Sequence, residues 1–343
     1  MARFEPQLLP TSVGSLPHTS PEQACELVLR YLPDIPAWPQ LPKLSAAETM
    51  YIQFCRDFPG SHLVGEKLAI NTSRLDMDAL LRELLRDYDR QESDHFAMAH
   101  ETASGLFAFL ASPPSSAKFI KGQITGPISC GLSLNDEEGK PVIYHDVLAD
   151  ALAKHLSLKA AWQEKKLASL GYPTMIWLDE PYMSAYGSAF VSLPQEKVVG
   201  LIDQVLAGIS GIKGVHCCGN TDWPVLLSTS IDVLSFDAYN YVERLSLYPQ
   251  EMKAFLGRGG VVAWGIVPND EPNLKGETAA SLQDRLEEAM TPFTRKGIPF
   301  HQLTRQGLLT PSCGLSSLSI EGAGQALELL AELSQRLRRK YGS

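Results

Sequence analysis

Gly214-Val215-His216-Cys217-Cys218-Gly219-Asn220 closes an apolar run and precedes a helix-like segment, so it reads as the end of a β-strand. On an extended backbone alternate side chains leave the same face, which puts His216 and Cys218 together and sends Cys217 into the packing. An imidazole and a thiolate converging on one point make half of a zinc site. The other half must come from elsewhere. The candidate is Cys313 in Thr310-Pro311-Ser312-Cys313-Gly314, at the end of another apolar run. That separation is far longer than a zinc finger uses. It suits ligands gathered from separate strands of a large barrel. Two Cys and one His leave a fourth position open, as catalytic zinc requires. The competing reading is structural, because a Cys is commonly a small buried hydrophobe. His216 and Cys218 alone leave the two readings even, and Cys313 tips the balance toward metal.

Around that strand the chain repeats strand then helix. Strands are expected at Thr174–Asp179, Ile212–Cys217, Ile231–Asp237, Gly260–Ile266 and Leu308–Ser312. Helices are expected at Pro194–Ile209, Trp223–Ser228, Glu243–Leu256, Ala279–Lys296 and Glu321–Tyr341. Upstream lie strands at Thr11–Ser15 and Ala117–Thr125, and an irregular one at Ile35–Leu41, broken by Pro36 and Pro39. Ser20 and Pro21 open a helix to Tyr31 in the usual N-cap and first-residue places. Ser45–Phe58 reads as helical, Gly60–Asn71 as a hairpin-like excursion, and Leu75–Ser112 as two helices. Asp146–Leu170 reads as one long amphipathic helix.

That makes eight strands, most followed by helices, which implies a parallel sheet. Eight such units close a (β/α)8 TIM barrel, and about 250 residues plus insertions fits the length. The rival is an open doubly wound sheet, disfavoured because no glycine-rich phosphate turn follows the first strand. No linker rich in Gly, Ser or Pro appears. Residues 1–343 therefore read as a single TIM-barrel domain with an N-terminal extension.

Composition narrows the function classes. Hydrophobic residues make up 44% of the 343, and the mean hydropathy is near zero, which describes a globular chain with a sizeable core. A net charge of −9 argues against nucleic acid as partner, since binders show a basic face. Six cysteines without regular short spacing do not form a disulfide framework. Cys25 and Cys55 read as buried thiols. No apolar run reaches the ~18 residues of a membrane span, and Met1–Pro10 lacks the regions of a signal peptide. The expectation is a cytoplasmic enzyme with no membrane partner.

Ser15, Gln123, Asp179, Glu180, His216, Cys218, Asp237, Asp270 and Cys313 all fall at or just past strand C-terminal ends. That is the face where such barrels place their active sites. Polar residues there can also be ordinary helix N-caps, a reading that suits Asp222. It suits Asp179-Glu180-Pro181 less well. Two adjacent acids can bind an amine or work as acid and base, and solvated loop acids are the alternative.

Taken together, Gly14-Ser15-Leu16-Pro17-His18, Trp177-Leu178-Asp179-Glu180-Pro181, His216-Cys217-Cys218-Gly219-Asn220 and Pro311-Ser312-Cys313-Gly314 resemble the C-terminal catalytic barrel of cobalamin-independent methionine synthase. They also resemble its wider superfamily, which includes uroporphyrinogen decarboxylase and the methylcobamide:coenzyme M methyltransferases. The resemblance runs from about Thr11 to the C-terminus.

The resemblance implies roles. His216, Cys218 and Cys313 would be zinc ligands. The synthase completes its set with a Glu at the end of the next strand, where this chain has Asp237, so Asp237 or water would be fourth. Ser15 would hold an amino-acid carboxylate. Asp179, with Glu180 beside it, would face the substrate amine, and Glu66 in Val64-Gly65-Glu66 would be a second amine partner. The synthase's methyl-transfer histidine is missing after the seventh strand, where Asp270 falls. With one barrel rather than two, the chain looks like a core enzyme. It would take methyl from a corrinoid, as methylcobalamin or on a partner protein, rather than from methyltetrahydrofolate. The acceptor implied is a small thiol, homocysteine before coenzyme M. The alternatives are a decarboxylase of the uroporphyrinogen type, for which no Arg follows the Ile35–Pro39 stretch closely, and a metal- or thiol-binding protein without activity.

Overall fold

The structure, a computed structural model, describes residues 4–73, 76–188 and 191–342. Nine strands matter here: β1 (Leu9–Pro10), β2 (Ser61–Val64), β3 (Lys67–Ile70), β4 (Ile120–Thr125), β5 (Thr174–Asp179), β6 (Ile212–Cys217), β7 (Val233–Phe236), β8 (Val261–Val267) and β9 (Gly307–Pro311). Among the described residues, seven of them form one parallel sheet in the order β1-β9-β8-β7-β6-β5-β4. Helices connect most of them, because parallel neighbours need a crossover.

The extended stretch 35–41 spans the two edges of this sheet. On one side Lys121 N donates to Pro36 O (2.9 Å) and Trp38 N to Lys121 O (3.3 Å). On the other, Gln40 N donates to Gly14 O (3.1 Å) and Leu16 N to Gln40 O (2.9 Å). Pro36 and Pro39 have no N–H to give, so the pairing is only isolated bridges, Ser15 with Gln40 and Ala37 with Lys121. Seven strands and this stretch make the eight staves of a TIM barrel. The first stave starts earlier than expected, with its ladder at Leu9–Pro10, and the chain stays extended beyond it: Thr11 N donates to Leu309 O (2.9 Å).

Residue parity sorts each strand into an outward and an inward column. On β5, Ile176 and Leu178 belong to the large core under the helices, whereas Met175 and Trp177 join Leu9, Ile35, Val233, Val261, Ala263 and Leu308 in a separate inner core. Trp177 is fully buried there. Gly214, one strand over, makes room for it, since a Cβ at 214 would overlap the indole. Truncating such a side chain costs about 3–5 kcal/mol. Above this apolar floor the same inward columns end in Asp179 on β5 and His216 on β6.

The excursion between 60 and 71 is an antiparallel hairpin, β2 with β3. Two expectations change. The helix expected over Glu243–Leu256 is two helices, Ala238–Leu245 and Pro249–Gly257, because Pro249 cannot continue a helix and starts the second one instead. Cys55 is buried but not alone: its sulfur meets that of Cys130, 75 residues away in sequence, a separation that leaves no local signal. The helical region expected from Leu75 holds helices Met77–Arg90 and Ser104–Ala111; Leu75 itself lies outside the described residues.

The long helix Asp146–Ala168 is tied to the turn after helix Met50–Cys55 by a polar network that joins buried His155 and Lys159 to the exposed Asp57. Lys159 Nζ donates to Asp57 Oδ2 (2.7 Å), and His155 Nε2 lies 3.0 Å from Phe54 O and 3.5 Å from Asp57 Oδ1.

Candidate metal centre and amino-acid subsite

The strand register lines up Thr125, Asp179, His216 and Ser235 as one row across β4 to β7. All four are buried. His216 Nδ1 lies 2.9 Å from Ser235 Oγ. That leaves His216 Nε2 buried and without a hydrogen-bond partner, and the same holds for Asp179 Oδ1 and Thr125 Oγ1. Three adjacent staves thus each present an unsatisfied polar atom at one level. Leaving such groups unpaired costs about 1–3 kcal/mol apiece, which marks the row as a place built for a ligand.

Cys218 follows β6 directly and Cys313 follows β9. Single ligand atoms of His216, Cys218 and Cys313 all lie within 4.8 Å of one another. A hydrogen bond from Cys313 holds the Cys218 thiol well below its ordinary range, to about 4, and His216 adds to the effect. The same bond pushes Cys313 up. One thiol is poised to be a thiolate and one imidazole nitrogen is free. A nitrogen and two sulfurs fit zinc, with Ser235 fixing the ring as an outer hydrogen-bond partner does. Cys217, on the opposite parity, is fully buried and its Sγ contacts Gly219 O at 3.5 Å.

Ser15 comes in beside this cluster. Leu315 N donates to Ser15 O (2.9 Å), and Ser15 Oγ lies 3.3 Å from Ser316 Oγ. The residue before it, Gly14, has φ +150°, and a Cβ there would sit 2.6 Å from Gln123 Cδ, so the turn needs glycine.

Four expected site residues take other places. Asp237 is the N-cap of helix Ala238–Leu245, accepting from Asn240 N (2.9 Å) and Asn240 Nδ2 (2.7 Å). It stands outside the three-ligand group. Burial pushes its carboxyl up. Asp270 does the same for helix Glu271–Gly276, accepting from Asn273 N (3.0 Å) and Nδ2 (2.8 Å). The capping reading therefore belongs to these two, while Asp222 makes no side-chain cap bond. Glu180 is no solvated loop acid: it accepts from Ile128 N (2.9 Å), Ser129 N (2.7 Å) and Ser129 Oγ (2.6 Å), at the start of helix Pro127–Ser133. A carboxylate there satisfies the free N–H groups of the first turn. Glu66 stands exposed in the turn of the β2–β3 hairpin. It lines a cavity of about 530 Å³ with Tyr51 and Tyr182.

Sequence reading passed over Ser235, Thr125 and Lys121. Lys121 is fully buried on β4. Its inward parity with Gln123 and Thr125 was the available signal. A larger cavity, about 1,340 Å³, opens where the strands begin, among Phe4, Phe119, Thr174 and Ile212, at the end opposite the cluster. A second group of possible ligands, Asp87, Glu92 and His95, is an ion-pair arrangement, with His95 Nδ1 2.9 Å and Arg86 Nε 3.6 Å from Asp87.

No protein-family model matches the chain, and no curated protein does. Solved structures do. One is a B12-independent methionine synthase from Shewanella sp. W3-18-1 in complex with selenomethionine, 18% identical over 97% of this chain and 98% of that one, with TM-score 0.61. Another is a putative vitamin-B12 independent methionine synthase from Listeria monocytogenes, 16% identical over 93% and 86%, with TM-score 0.58. A third is a methyltransferase from Methanosarcina mazei, 14% identical over 100% and 95%, with TM-score 0.57. At these identities the likeness establishes a shared fold. Among the described residues no helix is long and apolar enough to cross a membrane.

Proposed function

We propose that the chain is a zinc-dependent methyltransferase acting on a small thiol, with homocysteine as acceptor and methionine as product. The observation that carries this is the cluster of His216, Cys218 and Cys313, with His216 Nε2 buried and unpartnered. Those three residues would hold the metal, leaving one position open. Zinc, when bound, supplies the Lewis acidity that keeps a substrate thiol ionised near neutral pH.

The chain's own residues then hold the amino-acid end. Asp179, with its open Oδ1, accepts the substrate ammonium. Ser15, in the turn against Leu315 and Ser316, holds the carboxylate. Glu180 keeps the Asp179 strand end in place by anchoring helix Pro127–Ser133, rather than by touching substrate. The sulfur forms its bond to the methyl carbon as the donor's bond to that carbon breaks, and the thiol proton is released. Two of the similar structures are a methionine synthase and a putative one, and the first holds selenomethionine, which supports an amino acid with a chalcogen side chain as ligand.

The donor we favour is an activated methyl such as that of methylcobalamin, free or on a corrinoid protein. A folate leaving group needs a proton, and Asp270, at the place where the synthase carries its histidine, has both oxygens engaged by Asn273. The B12-independence of two of the similar proteins, one of them putative, favours folate instead. Assaying methylcobalamin and methyltetrahydrofolate side by side, with homocysteine as acceptor, decides between them. Absence of methionine from both donors with a zinc-loaded sample rejects the reading altogether.

A further inference from the structure

Of the three residues in the metal cluster, Cys313 lies furthest beyond its strand. His216 is within β6, paired with Asp179 on one side and Ser235 on the other. Cys218 follows β6 directly, whereas Cys313 comes two residues after the end of β9. The sheet does not reach it. Pro268 has no N–H to give, and among the described residues the last backbone bond of the β8–β9 ladder is Ser312 N to Val267 O (2.8 Å).

Asn269, two residues past β8, takes over where that ladder stops. Ser312 Oγ donates to Asn269 Oδ1 (2.9 Å), and Asn269 Nδ2 donates to Gly314 O over a longer 3.4 Å. A carbonyl can only accept, so the second contact fixes which end of the amide is the donor. One side chain thus holds the residues on both sides of Cys313. Ser312 is fully buried and Asn269 half-buried, so water competes poorly for the stronger of the two bonds. Ser317 Oγ adds a bond to Asn269 O (3.0 Å), fastening the same loop further along. Gly314 in turn lies against Ser15, where a Cβ would overlap the hydroxyl.

We infer that Asn269 is a positioning residue for Cys313. Its amide does with side-chain bonds what the ladder no longer does, and it sets where the Cys313 sulfur stands relative to His216 and Cys218. The task needs a donor and an acceptor on one short planar group, which Asp and Leu do not offer. The inference rests on the functional reading above and extends it to a residue that touches neither metal nor substrate.

Both Cys218 and Cys313 are partly exposed, so alkylation by iodoacetamide, read at each cysteine by peptide mass with zinc in excess, tests this without turnover. In wild type, zinc should slow the reaction at both cysteines. If it slows neither, the metal reading fails before Asn269 is at issue. Asn269→Ala should lower zinc affinity about 10–100-fold in competition with a chelator, and speed alkylation of zinc-loaded Cys313 about tenfold and of Cys218 less than about threefold. Ser312→Ala removes one of the two bonds and should act in the same direction more weakly. Added to Asn269→Ala it should change little further, because both variants break one contact. Equal acceleration at the two cysteines, or none at either, overturns the inference while leaving zinc binding as read. If Asn269→Ala folds poorly, Ser312→Ala alone carries the test, and unchanged Cys313 reactivity in it overturns the inference as well.

Discussion

His216 Nδ1 lies 2.9 Å from the hydroxyl of Ser235 on the neighbouring strand, and this contact leaves Nε2 as the free nitrogen of the ring. Both residues sit on the same inward level of adjacent staves, so the sheet register itself orients the imidazole. Ser235→Ala should therefore keep the fold and lower zinc affinity by about 10–100-fold, as loss of an outer-shell partner does. Competition with a chromogenic chelator measures this. Unchanged affinity would mean that packing alone sets the ring.

Cys217 and Cys218 are neighbours with opposite parity, and their serine variants should fail in opposite ways. Cys218→Ser should lose zinc with little effect on the apo fold. Cys217→Ser should retain zinc and lose about 1–3 kcal/mol of stability, because it places a hydroxyl in an apolar core. Metal analysis and thermal melts on both variants separate the outcomes. Equal zinc loss in the two would contradict the strand geometry.

Asp179 and Glu180 make a second contrasting pair. Asp179→Asn should raise KM for homocysteine at least about tenfold and leave a thiol without an amine unaffected. Glu180→Gln should cost about 1–3 kcal/mol, since its amide would face the Ile128 N–H donor to donor. Its KM for homocysteine should move little. A large KM effect from Glu180→Gln, without loss of stability, would return that residue to the substrate.

The Asp57 network gives a pH signature. Against the partial desolvation of its inner side, hydrogen bonding and the charges of His155 and Lys159 hold the half-exposed Asp57 carboxyl far below the usual carboxylate range. Its folded pKa lies below its unfolded one, near 3.8. As pH falls through that value the unfolded chain takes up a proton that the folded chain refuses, so stability drops. Urea unfolding should show wild type losing stability more steeply below about pH 4 than Asp57→Asn. At neutral pH Asp57→Asn should itself cost about 1–3 kcal/mol, because it leaves the buried Lys159 without its carboxylate. Parallel acid limbs for the two proteins would refute the assignment.

Much of the barrel was legible because parity and apolar runs are local. All eight staves can be read from the chain, including the proline-broken one at 35–41. The separate roles of strand-end acids were written less plainly. Asp237 and Asp270 each carry an Asn three residues on, Asn240 and Asn273, and that repeated spacing is a capping signal. It was outweighed by their position at strand ends. Glu180 could not be separated from Asp179 by sequence, because what distinguishes them is helix Pro127–Ser133, some 50 residues away. Lys121 was hidden for another reason: a lysine within an apolar run looks like an edge residue until closure of the ring buries it. The Cys55–Cys130 pairing depends on the docking of two helices, which no spacing reveals.

The stave at 35–41 makes the ring unequal around its circumference. It is fastened to Gly14–Leu16 and to Lys121 by isolated bridges, whereas β5 and β6 share a continuous ladder. A seam of this kind is where the wall breathes. Hydrogen exchange should reach the amides of Leu16, Trp38 and Gln40 before those of Leu178 and Val215. The seam lies beside Ser15 and away from the His216 strand, so opening there would change the rim around Ser15 and leave His216 and Cys218 in place.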